Sequence, residues 1–183
     1  MEEIVDIKDI DSEKVIKDIL KGKIFVYPTD TIYGLGCDAT NVKAVGKIKE
    51  IKKRDKDKPL SVIAPSVSWI RENCIVPEGL VIGKYFPGSY TLILKKKDFK
   101  FLKEVAGGDS IGVRIPRGDF TKIIGKSGRP FITTSVNLAG EKFVVRVSEI
   151  FSWMKGKVDF VIDGGLLNGR PSTLVIGGKE IRR

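Results

Sequence analysis

The sequence predicts one α/β domain built on a mixed, twisted sheet with flanking helices. Three observations carry that prediction. Apolar β-prone runs and helical apolar stripes intermix along the chain without strict alternation, which fits a sheet with both parallel and antiparallel pairs. The 183 residues are enough for one domain with a full core. No internal repeat, low-complexity linker or composition break divides them, so residues 1–183 read as a single domain.

The elements follow in order. Ser12 caps a helix through Leu20, whose apolar stripe is Val15, Ile16, Ile19 and Leu20, and Gly22 closes it. Ile24 to Tyr27 is a buried strand ended by Pro28, and it opens into a polar, glycine-punctuated loop, TDTIYGLGCDA. Asn41 caps a second helix carrying Val42, Val45, Ile48 and Ile51 at helical spacing. That helix runs into a basic knot, KIKEIKKRDKDKP. Leu60 to Ala64 reads as a strand, Ser66 to Asn73 as a short helix, and Pro77 begins another helix reaching about Phe86.

After the turn at 87–89, Tyr90 to Leu94 is a strand, and Lys95 to Lys103 is a charged surface connection. Ile111 to Ile115 is a strand stopped by Pro116, Phe120 to Ile124 is helical, and Phe131 to Thr134 is a strand opening into Ser135, Val136 and Asn137. Ser148 caps a helix through Met154. Val158 to Ile162 and Thr173 to Ile176 are strands, and Glu180 to Arg182 pairs beside the last.

Composition narrows the function classes. With 42% hydrophobic and 31% charged residues, the chain has the make-up of a soluble globular protein. No apolar run approaches the length of a membrane span, and the acidic start MEEIVDIKDI is unlike a signal peptide. Cytoplasm is the expected compartment, and Cys37 and Cys74 are expected as free thiols. There is no histidine, which excludes histidine catalysis and the common Cys/His zinc sites, and no protein-bound metal is predicted. The net charge of +10 favours an anionic partner, either a nucleotide or a nucleic acid.

Four places carry candidate chemistry. Lys52 and Arg54 are two apart, so an extended chain points both cations into one cleft, where they can hold phosphate or carboxylate; a solvated helix end is the alternative. Ser135 and Asn137 have the same spacing after a strand, with Thr133 and Thr134 beside them, and suit hydrogen bonds to a nucleotide or a local cap. Arg114 sits inside the apolar run IGVRIP and needs a partner or a ligand anion, unless the strand is an edge facing water. Ser172 and Thr173 place hydroxyls at a strand start, where turn chemistry is the alternative. Neither a G-x-x-x-x-G-K-S/T loop nor a G-x-G-x-x-G helix opening is present.

Taken together, YPTDTIYGLGCDA, the Lys52-Lys53-Arg54 triplet, PLSV at 59–62, PGSYTLIL at 87–94, IGVRIP at 111–116, TSVN at 134–137 and DGG…ST across 163–173 resemble the YrdC/Sua5 family, in the family's order and over nearly the whole chain. The chain is similar to the YrdC-only form, without the C-terminal domain of Sua5. The resemblance implies an α/β fold around a large, positively charged concave cavity. It implies threonylcarbamoyl-AMP synthase activity, in which L-threonine, bicarbonate and ATP give threonylcarbamoyl-adenylate and pyrophosphate. A downstream transferase then moves the threonylcarbamoyl group to adenosine 37 of tRNA.

By motif, Lys52, Arg54, Ser135 and Asn137 match the family's phosphate-side tetrad, with Lys52 and Arg54 as the catalytic cations and Mg²⁺ arriving with ATP. Thr31, Arg114, Thr133 and Ser172 match L-threonine contacts, Arg114 at the carboxylate. Lys58, Ser110 and Arg182 align with further ATP-side positions. Where many members read PLIVH, this chain reads PLSVI, with Ile63 in the histidine's place. Two other readings compete: a non-catalytic relative binding double-stranded RNA or tRNA, and a carbamoyl-adenylating enzyme like the related domain of hydrogenase maturation factors.

Overall fold

A computed structural model describes residues 3–53, 58–138, 141–150, 154 and 156–182. The strands are β1 (Glu3–Asp6), β2 (Phe25–Tyr27), β3 (Gly34–Gly36), β4 (Ser61–Ile63), β5 (Cys74–Ile75), β6 (Tyr90–Lys96), β7 (Ser110–Arg114), β8 (Phe131–Ser135), β9 (Phe160–Asp163), β10 (Thr173–Ile176) and β11 (Lys179–Ile181). The helices are α1 (Ser12–Leu20), α2 (Val42–Ile51), α3 (Val67–Asn73) and α4 (Asp119–Ser127). Among the described residues the strands form one sheet in the order β1-β9-β2-β3-β8-β4-β7-β6-β10-β11, with β5 beside β6. Pairs β1·β9, β2·β9, β4·β7 and β6·β10 are parallel and the others antiparallel, so the sheet is mixed as expected.

Alternation along the strands builds two cores. In β2, Phe25 and Tyr27 point to one face and Val26 to the other. The first face is covered by α1 and α4: Val15, Ile19, Phe120, Ile123 and Ile124 close over Phe25, Tyr27, Ile63 and Phe131. Its aromatic rings interlock, with Tyr27 stacked on Phe120 at 4.6 Å and Phe131 edge-on to both. On the opposite face, Val26, Leu35, Val62, Ile132 and Val113 bury against Val45 and Ile48 of α2 and Ile70 of α3. Ser61 and Thr133 lie on the first face, beyond the reach of α4, and there the sheet surface stays open.

The elements depart from expectation in specific places. Asp11, not Ser12, caps α1, its carboxylate accepting from the Glu13 and Lys14 amides, and Leu20 is half exposed outside the stripe. Asn41 caps α2 as anticipated, and Ser66, expected as the first helical residue, caps α3 instead. No helix spans Pro77 to Phe86; Gly79 takes a left-handed φ of +78°, and only a 3-10 turn at Ile82–Lys84 forms. The segment read as a glycine loop holds β3, and Gly36 is obligatory there, since a Cβ would sit 2.0 Å from the Ile132 carbonyl oxygen.

β6 extends to Lys96, at the start of the expected surface connection. The Lys96 ammonium turns inward to the carbonyls of Phe99, Phe101 and Ala106. A 3-10 turn at Val147–Glu149 stands where the Ser148 helix was expected, most of whose remainder lies outside the described residues. The pair expected at Glu180 to Arg182 is β11, one residue earlier.

Candidate active site

Strand register sets the geometry. β4 and β7 run parallel, and β8 runs against β4, so the starts of β4 and β7 meet the end of β8 at one edge of the sheet. Ser110 opens β7 and Lys58 precedes β4, at the edge where Ser135 ends β8. Arg114, the last residue of β7, lies at the other end, about 13 Å along the strand from Ser110. Between them a cavity of about 140 Å³ opens on the free part of the first face. Thr29, Tyr33, Gly34, Ser61, Thr91, Arg114, Thr133, Thr134, Ser135, Phe143, Pro171 and Ser172 line it.

Arg114 is the charged residue among the described lining. It sits in an interior strand between β4 and β6, not on an edge, and is 6% exposed. Its Nη2 donates to Asp30 Oδ1 at 2.7 Å, while Asp30 Oδ2 accepts from the Arg117 amide at 3.1 Å. The Arg114 Nε has no hydrogen-bond partner. Burial pulls the guanidinium pKa down and Asp30 opposes that pull. The partner that a buried arginine requires is thus a loop carboxylate, with the cavity on its other side.

Thr31 lies against this pair. The Thr29 hydroxyl donates to the Ile32 carbonyl at 2.7 Å and accepts the Thr31 amide at 3.1 Å. Its proton is therefore committed, and in the 2.8 Å contact between the two hydroxyls Thr31 is the donor. The Thr31 oxygen then faces the Arg114 Nη2 at 3.5 Å with acceptor capacity. Opposite, Ser172 and Thr91 hydroxyls meet at 2.8 Å, brought together by the pairing of β10 with β6.

The phosphate-side candidates are arranged differently from an extended basic cleft. Lys52 is the helical C-cap of α2, and Lys53 after it takes a left-handed φ of +46°. The Lys52 ammonium is buried on the turn after β8, donating to the Ser135 carbonyl at 2.6 Å, the Asn137 carbonyl, and Asn137 Oδ1 at 3.3 Å. Ser135 Oγ donates to Asn137 Oδ1 at 2.5 Å, so the two-residue spacing does place both side chains together. Arg54 lies outside the described residues.

Asn137 also lines a second hollow of about 470 Å³ with Val136, Glu141, Lys142, Phe143, Val144 and Glu149, and Phe143 is common to both hollows. Lys58 is exposed next to Pro59 of the cavity wall. Arg182 is exposed beyond β11, at the end of the sheet where β6 begins, away from Ser110.

The structure therefore brings Arg114, Thr133, Ser135 and Ser172 into one cavity wall, with Thr31, Lys52 and Asn137 bonded or close to it, and leaves Ser110, Lys58 and Arg182 outside the lining. Thr29 and Tyr33 belong to the polar loop after the second strand, whereas Ser61, Thr91 and Phe143 carry no local signal in the sequence. Thr91, for one, reaches Ser172 only through a strand pair more than eighty residues apart in sequence. Ile63 is fully buried under α4 and does not line the cavity; Ser61, on the same face of β4, does.

Comparison with known proteins gives this arrangement a context. The Sua5/YciO/YrdC family model, described as telomere recombination, matches residues 17–182. A Methanocaldococcus jannaschii protein, provisionally named threonylcarbamoyl-AMP synthase, is 37% identical over 179 residues, covering 94% of this chain and 84% of the relative. The threonylcarbamoyl-AMP synthase of Pyrococcus abyssi is 32% identical over 151 residues, 80% of this chain and 44% of its own length.

The crystal structure of P. abyssi Sua5 complexed with L-threonine superposes with a TM-score of 0.84 at 28% identity, over 98% of this chain and 55% of that one. This chain thus spans about half the length of the P. abyssi relatives it matches. Escherichia coli YciO shares the fold, with a TM-score of 0.81 at 24% identity. Motif order, sheet topology and a family model spanning nearly all residues agree: the chain belongs to the Sua5/YciO/YrdC family.

Proposed function

We infer that this chain is a threonylcarbamoyl-AMP synthase, a nucleotidyltransferase that joins L-threonine, bicarbonate and ATP into threonylcarbamoyl-adenylate and pyrophosphate. The observation that carries the reading is the cavity's polarity. A buried guanidinium stands at one end, hydroxyls line the middle, and the Lys52–Ser135–Asn137 cluster stands at the other. That layout suits a zwitterionic hydroxyl amino acid at the Arg114 end and a phosphoryl group at the Ser135 end.

The chemistry then runs along the cavity. Arg114 takes the amino-acid carboxylate, with Asp30 fixing the guanidinium. Thr31, Thr133 and Ser172 hold the side chain and amine. The threonine nitrogen attacks the bicarbonate carbon; a C–N bond forms, water leaves, and a carbamate results. One carbamate oxygen attacks the α-phosphorus of ATP, and the α–β bridging oxygen departs with pyrophosphate. No side chain is required as a base beyond release of the amine proton, and placement of the reactants supplies most of the catalysis.

On the ATP side, Lys52 orders the turn that presents Ser135 and Asn137. Arg54, Lys58 and Ser110 are assigned further phosphate contacts at this end, and Arg182, at the opposite end of the strands, is assigned to the nucleotide. Mg²⁺ carried with ATP would offset the charge of the departing pyrophosphate. The product is passed to a downstream transferase that modifies tRNA, with direct tRNA or double-stranded RNA contact following from the +10 charge. The work is assigned to the cytoplasm; among the described residues no helix is long and apolar enough to cross a membrane.

The test is amino-acid dependence of pyrophosphate release from ATP and bicarbonate. L-threonine is expected to stimulate release strongly, and L-valine, which has the shape without the hydroxyl, at least tenfold less. Equal stimulation by both, or none by either, contradicts the reading.

A further inference from the structure

We propose that Tyr33 is a positioning residue that fixes the 163–172 loop, and with it the Ser172 wall, against the amino-acid end of the cavity. The inference rests on the assignment of that end to the amino acid.

Tyr33 is fully buried and belongs to the cavity lining, and its hydroxyl reaches past the end of β2 to the end of β9. There the hydroxyl oxygen accepts the Gly164 amide at 2.9 Å and donates to the Gly165 carbonyl at 2.8 Å, with Asp163 Oδ1 at 3.1 Å as a second acceptor. Asp163 Oδ1 in turn accepts the Gly165 amide at 2.8 Å. A phenol has one proton and can accept from its lone pairs, so this hydroxyl is fully engaged by two consecutive residues of the loop. Burial pushes its pKa up to about 12, so the proton that makes the Gly165 bond stays in place at neutral pH.

The loop is shaped to meet that hydroxyl. Gly164 packs so closely on the loop before Tyr33 that a Cβ would lie 2.5 Å from the Pro28 Cβ, and Gly165 takes a left-handed φ of +73°. From this anchor the chain crosses the cavity mouth. The Leu167 amide donates to the Val145 carbonyl at 2.9 Å and the Gly169 amide to the Thr31 carbonyl at 3.1 Å, and Pro171 and Ser172 then form the wall.

The Tyr33 backbone ties two further walls, its amide donating to the Val144 carbonyl at 3.1 Å and its carbonyl accepting the Val136 amide at 3.2 Å. One residue therefore joins the Ser172 loop, the Phe143 strap and the turn after β8. Its hydroxyl serves only the first of these, so removing the hydroxyl separates the amino-acid end from the phosphate end.

The experiment is Tyr33→Phe in the full chain, read two ways. In ligand-free protein, amide hydrogen exchange at Gly164 is expected to accelerate tenfold or more, while that of β8 is unchanged. In turnover, KM for L-threonine is expected to rise about five- to twentyfold, the loss set by one buried hydrogen bond, with kcat and KM for ATP within twofold. Unchanged exchange at Gly164, or equal rises in both KM values, overturns the proposal.

If Tyr33→Phe does not fold, Asp163→Ala leaves the buried ring in place and removes the Oδ1 that accepts both the Gly165 amide and the Tyr33 hydroxyl. The same split, smaller in size, is expected, and an unchanged KM for L-threonine overturns the proposal. A wild-type protein with no threonine-dependent turnover would instead overturn the functional reading, and the exchange measurement then decides the anchoring alone.

Discussion

Arg114 and Asp30 form a buried ion pair across the cavity floor, Nη2 to Oδ1 at 2.7 Å, with side chains only 7% and 11% exposed. It joins the end of β7 to the loop after β2, far apart in sequence, and leaves the rest of the guanidinium for a ligand. Removing one partner of such a pair leaves a buried charge uncompensated and costs about 3–5 kcal/mol. Arg114→Ala is therefore expected to lower thermal stability as well as threonine binding. Arg114→Ala combined with Asp30→Asn removes both charges and is expected to recover most of the stability without recovering L-threonine affinity in calorimetry. Wild-type threonine affinity in the double variant would show that the carboxylate binds elsewhere.

Lys52 is predicted to act through the turn it holds. Lys52→Met keeps the length of the side chain and strips the donor from the Ser135 and Asn137 carbonyls. Hydrogen bonds to a charged group are worth about 1.5–3 kcal/mol each, so ATP affinity should fall at least tenfold. L-threonine affinity should stay within about threefold, since Arg114 is at the other end of the cavity. Parallel titrations of the two ligands check this.

Gly36 is predicted to be intolerant of any side chain. Alanine there would place a Cβ 2.0 Å from the Ile132 carbonyl oxygen and 2.7 Å from the Phe131 ring, both in the sheet core. Overpacking of this kind costs about 1–3 kcal/mol and here strains backbone as well. Gly108→Ala, with no atom within 4 Å of the new methyl, is the control. Denaturant unfolding should show a lower midpoint for the first variant and little change for the second.

Alkaline pH should destabilise the fold in a defined window. Burial raises the pKa of Cys37 and Tyr27, and pushes Cys74 up to about 11 and Tyr33 up to about 12. Each folded pKa lies above its unfolded value, about 8.5 for a thiol and about 10 for a phenol. The folded state then binds more protons than the unfolded state once pH exceeds those values. The stabilisation is whole below about pH 8.5 and is lost as pH rises toward the folded pKa values. Tm should be flat from pH 7 to 8 and fall steadily by pH 10.5, and the thiols should react with a disulfide reagent only on unfolding.

Local signals in the sequence located most of the framework. Asn41 was legible as a cap because a short polar side chain before an apolar stripe has one good use. β3 was not legible, because Gly34-Leu35-Gly36 offers almost no side-chain pattern, and the glycines are demanded by neighbours from other strands. The Pro77 to Phe86 segment has a helical start but carries Gly79 and Gly83, and its backbone turns instead.

In the site, Arg114 announced itself as a cation in an apolar run. Its pairing with Asp30 depends on tertiary register and could not be read locally. Lys52 was readable either in an extended cleft or at a solvated helix end; it stands at the end of α2, but its ammonium is buried on Ser135 and Asn137 rather than solvated. The hydroxyls of Ser61 and Thr91 became part of the site only when the sheet was assembled, whereas those of Thr29 and Tyr33 stood in the polar loop after the buried strand.

The most direct test of the proposed activity follows the carbon of bicarbonate. The chain would be incubated with ATP, Mg²⁺, L-threonine and ¹³C-bicarbonate, and the products resolved by mass spectrometry. The account predicts a threonylcarbamoyl-adenylate carrying one ¹³C, formed with equimolar pyrophosphate and absent when L-threonine is omitted. ATP bound without labelled adenylate, alongside salt-sensitive binding of tRNA, would contradict it and identify a non-catalytic RNA-binding member of the family.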